Sequence, residues 1–159
     1  MIPFVTVPEN SKTLIQLHFM IKTALITGAT SGIGKATATL LAQNNFKIVL
    51  CGRRKDRLEA LEKELSAFTA VHHLCFDVRD KKSVFESIAS LPEAFSDIDI
   101  LVNNAGNAHG LDSIQNGDMD DWDAMIDINV KGLLYVSKAI IPKMIAKESG
   151  HIINIGSIA

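Results

Sequence analysis

The residues best suited to chemistry begin at Gly28-Ala29-Thr30-Ser31-Gly32-Ile33-Gly34, where the glycines are spaced G-x-x-x-G-x-G. A short apolar run, Ala24-Leu25-Ile26, ends in Thr27 just before them, and Lys35 to Asn44 supplies the small and apolar residues of a helix. Glycine lets the chain turn tightly and lets a ligand touch main-chain N–H groups. The first N–H groups of the following helix, with the positive end of its dipole, then face an anion. Strand, glycine turn and helix in that order form a cradle for a pyrophosphate. A plain glycine-rich surface turn would not need the apolar strand in front of it. The spacing differs from the G-x-G-x-x-G of the general dinucleotide fingerprint.

A second constellation closes the next apolar run, at Gly52-Arg53-Arg54. A site for NAD places an acidic side chain here, about twenty residues past the glycines, to hold the ribose 2′-hydroxyl. A guanidinium instead matches a 2′-phosphate through charge-assisted hydrogen bonds of fixed geometry. Two arginines and no acid predict NADP(H) over NAD(H), with Arg53 the first phosphate contact and Arg54 beside it. A solvated basic turn before a helix is the alternative.

Thr27 to Gly34 reads T-G-x-x-x-G-x-G, and Asn103-Asn104-Ala105-Gly106 follows at the end of another apolar run. Together these motifs resemble the short-chain dehydrogenase/reductase family over residues 20–159. The strings GRRKDRLEALEKEL at 52–65, DIDILVNNAG at 97–106 and HIINIGS at 151–157 are similar to its NADP-dependent 3-hydroxy-acid (serine) dehydrogenase branch. The resemblance implies an oxidoreductase that moves hydride between NADP(H) and a carbonyl or hydroxyl of a small substrate, such as a 3-hydroxy acid.

It also assigns roles. Thr27, Gly28, Thr30, Ser31, Gly32, Ile33 and Gly34 belong to the coenzyme turn. Asp77 hydrogen-bonds the adenine amino group, with Val78 beside it; the alternative is an acid at the start of the next helix. Asn103, Ala105 and Gly106 support the coenzyme and the central sheet, unless they form an ordinary turn. Asn129 distorts a long helix and holds a water that feeds a catalytic lysine; otherwise it is an exposed amide in a helix, where propensity disfavours it. Ser157 hydrogen-bonds the substrate carbonyl and steadies the developing oxyanion, or else is a turn residue after a strand.

The family's proton-transfer pair, Tyr-x-x-x-Lys, should lie beyond Ser157 on a following helix. The sequence has a single tyrosine, Tyr135, with Lys138 three residues on, and both precede Ser157. Tyr135 therefore reads as a packing residue, and the chain as a C-terminally truncated fragment, inactive alone. Two other readings stay open: a non-catalytic NADP(H)-binding module, and the product of a decayed gene.

The elements that must place these residues follow from hydrophobic periodicity. Strands are predicted at 23–27, 47–51, 71–76, 98–103 and 151–155. Helices are predicted at 33–44, 55–68 (with a stripe of Leu58, Leu61, Leu65 and Phe68), 81–90 and 121–147. Near-continuous apolar strands alternating with helices predict a doubly wound α/β fold, a parallel sheet in the order 3-2-1-4-5. The motifs then collect at the C-terminal ends of the strands. The 121–147 helix is apolar on more than one face, which calls for a second partner; by resemblance, the intact parent is a homo-dimer or homo-tetramer through it. Pro142 should kink or end that helix. Cys51 and Cys75, both at strand ends, are expected buried and reduced in a cytoplasmic protein.

Residues 1–19, with Pro3, Pro8 and a polar patch, read as a loose extension and not as a signal peptide. The remaining 20–159 form one domain. Of the 159 residues 47% are hydrophobic and 21% charged, with a net charge of −2, ordinary for a soluble globule. That balance predicts neither nucleic-acid nor membrane partners, and the five histidines show no metal spacing.

Overall fold

The computed structural model describes residues 21–110 and 112–157. The expectation for residues 1–19 lies outside them. Five parallel strands, β1 (Thr23–Thr27), β2 (Lys47–Gly52), β3 (Val71–Cys75), β4 (Ile100–Asn103) and β5 (His151–Asn154), pair in the order β3-β2-β1-β4-β5. Between them run α1 (Gly32–Gln43), α2 (Lys55–Leu65) and α3 (Lys81–Ala89), and then α4 (Met119–Ile126) and α5 (Leu133–Ala146).

Alternation along the strands builds two cores. Ala24, Ile26, Ile48, Leu50 and Val102 pack on one face with Ala38 and Ala42 of α1 and Leu58, Leu61 and Leu65 of α2. Leu25, Val49 and Leu101 point to the other face, against Val84 and Ile88 of α3 and Val136, Ile140 and Met144 of α5. Successive side chains on a strand alternate in direction, so a strand covered on both faces is apolar throughout. The small residues of α1 are what bring that helix close to the sheet.

Two expectations change here, and the burial expected of Cys51 holds. The α2 stripe stops at Leu65, and Phe68 is 51% exposed beyond the helix end. Cys51, in an interior strand, is buried, and desolvation pushes its thiol far up. Cys75 is exposed, because β3 is the sheet edge and its end is uncovered. Pro142 does not end α5, which continues to Ala146, with the Lys147 N–H bonding back to the Lys143 carbonyl. Burial of Val136, Ile140 and Met144 holds both sides of the proline on the sheet, and tertiary packing of this kind supplies most helix stability in proteins.

The long helix is also not one regular helix. Asp118 caps α4, accepting from the Asp120 N–H at 2.9 Å. A wide π-helical turn, Asp127–Gly132, then separates α4 from α5. Such turns insert an extra residue into the helical ladder, and Asn129 sits within this one. Ile126, Val130 and Leu134 remain exposed along this face, and every residue of β5 is exposed. Among the described residues no helix is long and apolar enough to cross a membrane.

Candidate functional site

The β1–α1 turn is shaped by its glycines. Gly28 has φ +65°, and a Cβ there would lie 2.9 Å from Asn104 Nδ2 and 3.0 Å from the Ala105 Cα. A side chain at Gly34 would run into the Gly28 carbonyl and Asn104 Nδ2. The helix start is thus pressed against the end of β4. Thr27, 2% exposed, stitches the two motifs. Its Oγ1 accepts from the Asn104 and Ala105 N–H groups at 3.0 and 2.9 Å and donates to the Val102 carbonyl at 3.4 Å. In return Asn104 Nδ2 donates to the Thr27 carbonyl at 2.9 Å. The glycine turn and the Asn-Asn-Ala-Gly turn are one built unit.

Above this unit opens a cavity of about 590 Å³, within the usual range for small-molecule sites. Its wall comprises Gly28, Thr30, Ser31 and Ile33 from the turn and Gly52, Arg53 and Arg54 from the end of β2. Phe76, Asp77 and Val78 follow β3, and Asn104, Ala105, Gly106 and Ile128 complete it. Thr27, Asn103, Gly32 and Gly34 are not on this wall. Thr27 and Gly34 act beneath it. Asn103, 4% exposed, donates through Nδ2 to Ser137 Oγ and Asn154 Oδ1, both at 3.0 Å. It ties β4 to α5 and β5, so its structure-supporting use is the one the geometry displays.

The charges at the mouth are ordered. Arg54 Nη2 donates to Thr30 Oγ1 at 2.8 Å and Ser31 Oγ at 3.3 Å, which lays its guanidinium over the glycine turn. Ser31 occupies the N-cap of α1 yet makes no side-chain cap bond; its hydroxyl serves the arginine. Arg53 makes a longer contact, 3.5 Å from Nη1 to Asp77 Oδ2. Asp77 is gripped mainly by Arg79, with Nη2 at 2.7 Å from Oδ2 and Nε at 3.1 Å from each oxygen. Partial burial works against the Asp77 charge. The Arg79 hydrogen bonds and the charges of Arg79 and Arg53 outweigh it and hold the carboxyl below its ordinary range.

Asn129 reaches across from the π turn. Its Nδ2 donates to the Asn107 carbonyl at 2.8 Å, and its Oδ1 accepts from the Asn107 N–H at 3.0 Å. A Cβ at Gly106 would meet that Oδ1 at 2.9 Å. The amide therefore clamps the loop after the Asn-Ala-Gly turn and does not itself line the cavity. Ser157 lies past β5, exposed and off the cavity wall. Tyr135 packs partly buried against the core on α5.

A model of the short chain dehydrogenase family matches residues 22–159. The chain belongs to that family. It is 46% identical over 135 residues to the NADP-dependent 3-hydroxy acid dehydrogenase YdfG of Salmonella typhi, covering 85% of this chain and 54% of that one. It is 47% identical over 136 residues to sulfoacetaldehyde reductase 2 of Chromohalobacter salexigens, with the same coverage. Among solved structures, serine dehydrogenase from Escherichia coli superposes with a TM-score of 0.79 at 42% identity, covering 85% of this chain and 62% of that one. The closed form of serine dehydrogenase complexed with NADP+ gives 0.80 at 43%, covering 86% and 54%. The chain spans about half the length of the curated relatives it matches.

Sequence reasoning passed over four residues of the cavity wall. Gly52 had a signal beside the arginines: a Cβ there would sit 3.0 Å from Thr30 Cγ2, so a larger residue would have to push the Thr30 side chain aside. Phe76 and Asn104 adjoin residues that were singled out. Ile128 had no local signal, because the π turn sets its direction.

Proposed function

We propose that the chain is the coenzyme-binding part of an NADP(H)-dependent oxidoreductase whose substrate is a small carbonyl or hydroxyl compound of the 3-hydroxy-acid class. The coenzyme comes from the arginine chemistry and from relatives named as NADP-dependent. The substrate class rests on the printed name of YdfG alone. One observation carries the reading: two guanidiniums stand at the mouth of a cavity whose floor is a glycine turn opening a helix.

The residues present fit the group. The α1 N-terminus and the turn at Gly28–Ser31 would take the diphosphate, since helix N-termini attract anions. Arg54, already over the Thr30 and Ser31 hydroxyls, and Arg53 would take the 2′-phosphate. Asp77, held ionised, offers only acceptors and so suits the adenine amino group. Ala105 and Gly106 leave a flat surface for the ribose and ring. When bound, the nicotinamide supplies or receives the hydride. The Ser157 hydroxyl would donate to the substrate oxygen, and Asn129 would hold the loop and a water at the reacting end.

Within these 159 residues the single tyrosine packs partly buried against the core, so we assign binding without turnover to this chain alone. The exposed face of Ile126, Val130 and Leu134 is where a second subunit of an intact enzyme would pack. Titration of the chain with NADPH and NADH tests the reading. Each charge-assisted bond contributes about 1.5–3 kcal/mol, so NADPH should bind at least about tenfold more tightly. Equal affinities would refute it. Turnover of 3-hydroxy acids by the chain would refute the second part.

A further inference from the structure

Arg79 lies outside the cavity wall, yet it makes the shortest contacts to the carboxylate that stands on the wall. Its side chain is 40% exposed, against 25% for Asp77 and 54% for Arg53. Between Arg79 and Asp77 run one bond of 2.7 Å and two of 3.1 Å, a fork that engages both carboxylate oxygens. Arg53 reaches the same Oδ2 only at 3.5 Å, beyond the range of a good hydrogen bond. Two guanidiniums compete for one carboxylate, and the one off the wall holds it.

The consequence concerns Arg53. An aspartate beside a phosphate-binding arginine works against the site twice: it draws the guanidinium onto itself, and its charge repels the incoming phosphate. Arg79 removes both effects by neutralising Asp77 from behind. We propose that Arg79 is a positioning residue that occupies Asp77, so that Arg53 stays available to a 2′-phosphate, and that it thereby sets coenzyme preference from outside the pocket. This inference rests on the coenzyme reading above.

The surroundings favour a role separable from folding. The Arg79 main-chain N–H also bonds Asp77 Oδ1 at 3.0 Å, and the Asp80 N–H bonds the Asp77 carbonyl at 3.1 Å. Asp80 separately caps α3 through the Ser83 N–H. None of these three bonds needs the Arg79 side chain, so the turn keeps its shape when that side chain is cut. Asp127, whose charge Arg79 also feels, has its own partner in Lys131 at 2.7 Å.

The test is the ratio of NADPH to NADH dissociation constants for the full 159-residue chain and its Arg79→Ala, Arg79→Lys and Asp77→Asn/Arg79→Ala variants. In Arg79→Ala, Asp77 should capture Arg53, and the preference for NADPH should fall by about tenfold, the size of one charge-assisted bond. The loss should appear mainly in NADPH binding. Lysine keeps the charge without the fork and should fall between. In the double variant no carboxylate remains to capture Arg53, so the preference should return although both coenzymes bind more weakly. Equal losses for the two coenzymes in Arg79→Ala, or a double variant that fails to recover the ratio, would overturn the proposal; a merely structural arginine gives that result. A wild-type chain with no preference for NADPH would overturn the coenzyme reading itself, and this inference with it.

Discussion

Replacing Thr27 by valine is the sharpest test of how the two motifs are joined. Valine keeps the shape of threonine and exchanges its hydroxyl for a methyl. The hydroxyl oxygen accepts from the Asn104 and Ala105 N–H groups at 3.0 and 2.9 Å, in a residue only 2% exposed. Valine leaves two part-buried main-chain donors without that acceptor, and each such loss costs about 1–3 kcal/mol. The sum is about 2–6 kcal/mol, a large share of the stability of an ordinary domain. For a domain of this size each kcal/mol moves the melting temperature by roughly 2–4 °C, so urea and thermal unfolding should show the change plainly. Thr27→Ser keeps the hydroxyl and loses one methyl group, which costs roughly 1 kcal/mol. The reasoning fails if valine unfolds within 0.5 kcal/mol or so of the wild type, or if serine loses as much as valine.

Three further outcomes follow from the geometry. Arg54→Ala removes the guanidinium held by Thr30 and Ser31; NADPH affinity measured by titration should drop about tenfold or more, and NADH affinity much less. Gly34→Ala drives a Cβ into the Gly28 carbonyl, so it should destabilise by about 1–3 kcal/mol in urea despite alanine's better helix propensity. Asp77 has its folded pKa lowered below the ordinary 3.8, so its contribution to stability is present above that value and is lost as pH falls through and below it. Acid titration of the unfolding midpoint should therefore show a shallower decline below about pH 4 in Asp77→Asn than in the wild type.

The strands were legible because each is a short apolar run whose residues must face two covered sides. The glycine turn was legible because close approach and positive φ leave few other residues able to occupy it. The Arg53–Arg54 pair was legible by charge type alone. What could not be read is which of the two lies over the glycine turn, and that the answer is Arg54. That depends on Thr30 and Ser31, over twenty residues earlier, presenting their hydroxyls to it. Cys75 misled for a related reason: a strand end is buried or bare according to whether another strand lies alongside, and β3 is the edge.

Periodicity, glycine spacing and charge type are local properties, and by themselves they determined the strand order, the family resemblance and the place where a phosphate-bearing ligand would sit. Tertiary contact decided the rest. Asn103 finds its partners 34 and 51 residues away, Asn129 meets Asn107 across a π turn, and Arg79 outcompetes Arg53 for Asp77 by less than an ångström. A side chain's chemistry is written in its type. Which neighbour satisfies it is settled only when distant segments pack to fixed distances, because hydrogen bonds and ion pairs change strength over tenths of an ångström.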